Sequence, residues 1–316
     1  MGETTIENSK ILITGGAGFI GSNLADALIN DNEIVVVDDL SMGKKKNLPQ
    51  GANLHFIEHS IADYEFMSTL LEAWKFDYIF LLAAVASVAD TIVRPAETHI
   101  INQDANLNIL ETIRIKKLPV KKILFSSSAA VYGNNPELPK KETSPIDPLS
   151  PYAVDKFATE RFVIDYGRLY DIPTVATRFF NVYGPKQNPK SPYSGVLSLV
   201  LESIINGQTF TVFGDGEQTR DFVHVEDVVR ALTVLASHSE ALHDVYNVGT
   251  GVETSLNTVI RLFEEIEHKN LTVSLANARV GDIRESYCDN NKLMSMESWP
   301  MLSVKDGLIN YVQYTK

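Results

Sequence analysis

Lys10-Ile-Leu-Ile-Thr-Gly-Gly-Ala-Gly-Phe-Ile-Gly21 is an apolar, β-branched run that breaks into glycines and resumes as an amphipathic pattern. It reads as a buried strand, a tight turn and the start of a helix. Gly15, Gly18 and Gly21 leave room for a pyrophosphate to approach backbone N–H groups at a helix N-terminus. The helical pattern continues through Ile20, Leu24, Ala27 and Leu28, and the next apolar run closes on Asp38-Asp39. A carboxylate about 20 residues after the glycine turn is placed to accept from a ribose diol. The same charge repels the extra phosphate of NADP, so NAD is the expected cofactor.

Working outward, short β-branched runs alternate with amphipathic stretches. Ile11–Ile13, Ile34–Val37, Leu54–Ile57, Tyr78–Leu82, Ile123–Ser126 and Thr174–Arg178 read as strands. Strands alternating with helices predict an α/β fold with a doubly wound parallel (Rossmann) sheet. After Arg178 the pattern changes. Pro185, Pro189 and Pro192 stand beside Gly184 and Gly195, which predicts an irregular loop. A helix is expected over Val196–Asn206, a strand at Thr209–Phe213 and a helix over His224–Ala236. Val245–Val248 reads as one more strand of the parallel sheet, so the smaller C-terminal α/β part is interleaved with the first.

Composition narrows the function classes. The chain has 316 residues, 44% hydrophobic and 22% charged, with a formal net charge of −12. That charge argues against a nucleic-acid partner, whose footprint would be basic. It also obliges any anionic ligand to find local arginines. Cys288 is the single cysteine, which excludes an internal disulfide and fits a reducing compartment. No apolar run is long enough to span a membrane, and the polar first ten residues lack a signal-peptide core. Ile6 breaks a myristoylation motif after Met1-Gly2. A cytoplasmic enzyme with no membrane partner and no metal site is the expectation.

Two further stretches carry chemistry. In Ser150-Pro-Tyr152-Ala-Val-Asp-Lys156, Ser150 suits a helix cap and Pro151 the first turn. Tyr152 and Lys156 then share one face of the helix. A phenol beside an ammonium and an oxidised nicotinamide feels two positive charges, which favour phenolate. Such a group is a general base. Ser126-Ser127-Ser128 ends a strand in hydroxyls at the end of the sheet where such folds bind ligands. Each of these signals is common alone; together they describe a nicotinamide-dependent redox enzyme.

With these motifs in order along nearly the whole chain, the sequence resembles the extended short-chain dehydrogenases/reductases, and within them the UDP-hexose 4-epimerases. Arg178-Phe-Phe-Asn181-Val-Tyr-Gly-Pro185, Gly214–His224 and Arg279-Val-Gly-Asp282 complete the match. The resemblance implies that residues 1–178 with 222–250 form the NAD-binding domain, and 179–221 with 251–316 the UDP-sugar-binding domain. It places Gly15, Gly18, Phe19, Ile20 and Gly21 around the pyrophosphate and Asp38, Asp39, Ser41 and Gly43 at the adenosine ribose. Ser60-Ile61 takes the adenine position, where relatives usually have Asp-Ile. Leu82, Ala83, Ala84, Asn102 and Ser126 would line the cofactor, and Lys156 would bridge its nicotinamide ribose. Ser128 and Tyr152 would meet the sugar 4-hydroxyl, with Ser87 nearby. Asn181, Tyr193, Val196, Arg220, Arg279 and Asp282 would hold the UDP. The family also implies a homodimer, built by helices near Asn102–Ile113 and Tyr152–Leu169. Lys186 departs from the family's usual arginine, and Cys288 from its alanine.

Related dehydratases and decarboxylases carry an acid just before Val-Tyr-Gly, whereas this chain has Ala129-Ala130. The resemblance therefore implies reversible oxidation and re-reduction at C4 of a UDP-hexose. Ser286 stands where enzymes restricted to glucose and galactose carry tyrosine, and the smaller residue leaves space for an N-acetyl group. UDP-GlcNAc/UDP-GalNAc is the expected pair, with UDP-Glc/UDP-Gal as well. A UDP-4-ketosugar reductase and a silent nucleotide-binding sensor are the alternatives.

Overall fold

The computed structural model describes residues 5–187, 195–278 and 283–315. Strands β1 (Lys10–Thr14), β2 (Glu33–Asp38), β3 (Leu54–Glu58), β4 (Tyr78–Leu81), β5 (Lys122–Ser128) and β6 (Thr174–Phe179) follow one another with helices between most of them. Among these helices are α1 (Phe19–Leu28), α2 (Tyr64–Trp74), α3 (Val88–Val93), α4 (Pro95–His99), α5 (Ala105–Lys116) and α6 (Pro151–Tyr170). Then come β7 (Asn181–Tyr183), α7 (Val196–Asn206), β8 (Phe210–Phe213), β9 (Thr219–His224), α8 (Val225–Ser237) and β10 (Asp244–Val248). The chain closes with β11 (Glu253–Ser255), α9 (Leu256–Glu267), β12 (Val273–Ala276), α10 (Asn291–Met296) and α11 (Val304–Thr315).

The main sheet has seven strands in the order β3-β2-β1-β4-β5-β6-β10, every neighbouring pair parallel. The six N-terminal strands lie where the apolar runs predict them. Val245–Val248 does join this sheet, in register with Ala176–Phe179. Both faces are buried, which is why the strands are continuous apolar runs rather than alternating ones. Ile11, Ile13, Ile34 and Val36 pack on one side with α1 and α8. Leu12, Val35, Val37, Ile123 and Phe125 pack on the other with α2, α5 and α6.

A smaller α/β part has its own core, in which Leu197, Val200, Leu201 and Ile204 of α7 meet Phe263 of α9 and Tyr311 of α11. Its strands pair as β11-β9-β7 and β12-β8. Strand order in the main sheet reverses between β1 and β4. A doubly wound sheet opens a crevice at that point, beyond the carboxyl ends of its strands. The fold thereby fixes where a ligand can sit.

Candidate active site

A cleft of about 630 Å³ lies at that crevice, a size typical of sites for small molecules and cofactors. Its wall begins with the glycine turn. Gly15 has φ +67°, and a Cβ there would come 2.7 Å from the Ala83 Cα. A Cβ on Gly21 would stand 2.6 Å from the Gly15 carbonyl oxygen. Helix α1 starts from Gly18 with no side-chain cap and no acid in its first turn. Its first N–H groups therefore face the cleft with the positive end of the helix dipole. This cradle, which any side chain would fill, fits the diphosphate of NAD.

The next turn continues the same wall. Asp38, at the end of β2, accepts from the N–H groups of Ala17 at 3.0 Å and Leu40 at 2.8 Å. Burial pushes its carboxyl up, and these donors offset that only in part. Gly43 packs against it so closely that a Cβ would lie 2.7 Å from Oδ1. Asp39, Ser41, Ser60 and Ile61 line the cleft beside it. Ser60 Oγ accepts from the Ala62 N–H at 3.2 Å. Leu82, Ala83 and Ala84 follow β4, and the Thr14 hydroxyl accepts from the N–H groups of Leu82 and Ala83, stitching β1 to β4 at the floor.

The groups expected to react come from β5 and α6. Ser150 caps α6 by accepting from the Ala153 N–H at 3.2 Å, and Pro151 opens the first turn, as the sequence predicts. Tyr152 and Lys156 both line the cleft with Ser126, Ser127 and Ser128. The Lys156 ammonium is buried and donates to the Ser126 carbonyl at 2.6 Å. It lies 4.9 Å from the Phe125 ring centroid and 5.9 Å from that of Tyr152. Burial pushes it down to about 7.

The expectation of a lowered Tyr152 phenol counts an oxidised nicotinamide among its causes, and the protein groups alone act in the other direction. Burial pushes it up, against a hydrogen bond with the Ser128 hydroxyl that favours phenolate. The short bond of the Lys156 ammonium goes to a carbonyl instead of to the phenol, so desolvation dominates in this state.

Several predicted residues stand apart from the cleft wall. Asn102 sits in a π-helical turn between α4 and α5 and is fully buried. Its amide accepts from the Val85 N–H at 2.8 Å and donates to the Val85 carbonyl at 3.3 Å, so it supports the wall from behind. Arg220 donates to the carbonyls of Thr219 and Ile283. Val196 begins α7 and packs on the smaller core, while its neighbour Gly195 reaches the cleft. Ser286 is half-buried in the segment before Cys288, outside the cleft lining. Asn181 and Ser87 do line it. Tyr193, Arg279 and Asp282 lie outside the described residues.

The structure adds a buried network that the sequence reading missed. The Ser127 hydroxyl donates to Glu160 Oε2 at 2.6 Å, and Glu160 holds Arg178 through bonds of 2.9 and 2.6 Å. Arg178 also donates to the Tyr132 hydroxyl at 2.9 Å, which in turn donates to Asn247 Oδ1 at 2.6 Å. The 3₁₀ turn Ala129–Tyr132 thereby locks to β5, β6, α6 and β10. A buried Arg within a quoted motif, Arg178-Phe-Phe-Asn181, was the available signal.

Residues 11–249 match the family described as NAD dependent epimerase/dehydratase. The chain is 36% identical to a UDP-glucose 4-epimerase of Mycolicibacterium smegmatis over 96% of its own length and 98% of the relative's. It is similar to the solved UDP-N-acetylglucosamine 4-epimerase from Methanobrevibacter ruminantium M1 in complex with UDP-N-acetylmuramic acid. That match has 34% identity and a TM-score of 0.92, covering 98% of this chain and 99% of that one. It is likewise similar to the UDP-glucose 4-epimerase with UDP-glucose from Thermotoga maritima. There the identity is 38% and the TM-score 0.90, covering 97% and 98% of the two chains.

Proposed function

The chain belongs to the NAD dependent epimerase/dehydratase family, as an extended short-chain dehydrogenase/reductase of the UDP-hexose epimerase type, and we propose that it inverts C4 of a UDP-hexose. The observation that carries this reading is one cleft that joins the glycine cradle to Ser128, Tyr152 and Lys156. NAD, when bound, supplies a reversible hydride acceptor. Gly15, Gly18, Phe19, Ile20 and Gly21 hold its diphosphate, Asp38 its adenosine ribose and Lys156 its nicotinamide ribose.

Tyr152 takes the proton from the sugar 4-hydroxyl, and Ser128 steadies that oxygen by hydrogen bonding. With the C4 hydride given up to that acceptor as well, the resulting 4-keto sugar would turn about its pyrophosphate, present its other face and take the hydride back there. Tyr152 then returns the proton to the new 4-hydroxyl. The turn after Ser128 offers Ala129 and Ala130 and no carboxyl group, which favours epimerisation over elimination or decarboxylation. UDP-GlcNAc/UDP-GalNAc is the proposed pair, with UDP-Glc/UDP-Gal also accepted. The support is the family resemblance, which puts a small residue, Ser286, where glucose- and galactose-restricted enzymes carry tyrosine, although Ser286 lies outside the cleft lining. Residues 1–178 with 222–250 carry the cofactor in this reading, and 179–221 with 251–316 the UDP.

The proposed assembly is a homodimer. Its support is the exposed apolar surface of Val88, Ile92 and Val93 on α3 with Val154 and Phe162 on α6. Clustered apolar side chains of this kind mark protein interfaces.

The deciding test is to incubate the purified protein separately with UDP-GlcNAc and UDP-glucose, without added NAD, and follow the anomeric protons by NMR. Appearance of the 4-epimer supports the reading. No epimer from either sugar, with net reduction of a 4-keto sugar on adding NADH, would establish the reductase alternative.

A further inference from the structure

We infer that the Asp90–Arg94 ion pair in the cleft wall is a specificity element, which favours an uncharged hexose and turns away a sugar nucleotide whose hexose bears a carboxylate. The inference rests on the reading of this cleft as a UDP-hexose site. Asp90 and Arg94 line the same cleft as Ser87, Ser128 and Tyr152. Ser87 caps α3 by accepting from the Asp90 N–H at 2.9 Å, which fixes the turn that carries the acid. Asp90 then grips the guanidinium from one turn away, Oδ1 with Nε at 2.9 Å and Oδ2 with Nη2 at 2.6 Å. The remaining fork of Arg94 donates to Glu97 Oε2 at 2.8 Å.

Arginine binds a ligand carboxylate through this same planar fork. Here the protein's own carboxylates already hold the Nε–Nη2 edge and one Nη1 donor, and the three side chains sum to one negative charge. The acid is also the more sheltered partner, with 17% of the Asp90 side chain exposed against 48% for Arg94 and 67% for Glu97. Arg94 holds the Asp90 carboxyl below its ordinary range, so it stays ionised at neutral pH.

The other described cations of the wall lie elsewhere or are committed. Lys156 is bonded to the Ser126 carbonyl, and Lys186 to Asp26 and to the Ser22 and Asn47 carbonyls. Lys44 belongs to the Asp38 end, where its N–H donates to the Ala17 carbonyl. A hexuronate carboxylate brought to the α3 wall would therefore meet an occupied guanidinium and an ionised acid. Like-charge contacts of this sort are how binding sites reject wrong partners.

The test compares UDP-glucose with UDP-glucuronic acid, which differ only at C6. The wild-type protein should favour UDP-glucose in kcat/KM by roughly 10²-fold. The gap should narrow as NaCl is raised, because salt screens repulsion at this partly exposed site. Asp90→Asn frees one edge of the fork and should shrink the preference about tenfold or more. Adding Arg94→Gln to that variant should remove the gain, which a merely structural effect of Asp90→Asn would not do. Equal turnover of both sugars by the wild type, or a preference indifferent to salt and to Asp90→Asn, would overturn the inference. Should Asp90→Asn fail to fold, the salt dependence of the wild type decides. No turnover of any UDP-hexose would instead remove the functional reading beneath it.

Discussion

Ser127 and Glu160 meet beside the proposed reacting groups, the serine hydroxyl donating to the carboxylate at 2.6 Å in a fully buried position. Ser127 lies between two cleft residues, Ser126 and Ser128, while Glu160 stands one turn after Lys156 on α6. The contact therefore sets the distance between the strand that carries the serines and the helix that carries Tyr152 and Lys156. Arg178 completes the arrangement from β6, with side-chain exposures of 4% for Arg178 and 1% for Glu160.

Glu160→Gln should leave the Arg178 guanidinium buried without its countercharge. Breaking a buried ion pair from one side costs about 3–5 kcal/mol. Thermal unfolding of the variant should show a loss of about 3 kcal/mol, along with a fall in kcat as Ser128 and Tyr152 drift apart. An unchanged melting temperature would mean that the pair contributes nothing.

Gly21→Ala places a methyl 2.6 Å from the Gly15 carbonyl and 2.7 Å from the Gly16 Cα. Both contacts are to backbone, so neither can yield by a rotamer change. The turn must open, and the N–H cradle is lost with it. The expected result is protein that folds but releases little or no NAD on denaturation, read from the absorbance of the supernatant.

Tyr152→Phe removes the proposed base and should lower kcat by roughly 10² to 10⁴-fold. Cofactor content should remain that of the wild type. A variant with near-normal turnover would require another proton acceptor.

Lys156 makes stability depend on pH. Its folded value is pushed down to about 7 by burial, whereas an unfolded lysine titrates at about 10.4. Between these values the unfolded chain binds more protons, so stability rises with pH. Below pH 7 both states are protonated and the full cost of burying the ammonium remains. Urea unfolding of the cofactor-free protein should therefore show wild-type stability increasing, relative to Lys156→Met, from about pH 7 to about pH 10. A constant difference would refute the buried-ammonium account.

Ser286→Tyr tests the proposed substrate preference. It should impair UDP-GlcNAc far more than UDP-glucose in the NMR assay. Equal losses on both would show that this position does not gate the C2 substituent.

Much of this protein was determined by local sequence. The β-branched runs of β1 to β6 and β10 place the main sheet, because a strand buried on both faces must be apolar throughout. The glycine turn, Asp38 and the Ser150-capped face of Tyr152 and Lys156 were legible for a similar reason, since each depends on backbone geometry over a few residues. Tertiary structure alone decided the rest. Only the assembled sheet puts Ser127 against Glu160 and Glu160 against Arg178, residues whose partners lie 33 and 18 positions away. Asn102 shows the same limit: nothing local in the sequence announces that its amide bonds the Val85 backbone behind the cleft wall. Asp90 and Arg94 are an ordinary helical pair in sequence and a charged wall only where the fold opens its cleft beside them. Desolvation divides the two cases, for burial depends on what surrounds a residue, and it is burial that presses the Lys156 ammonium down and the Tyr152 phenol up.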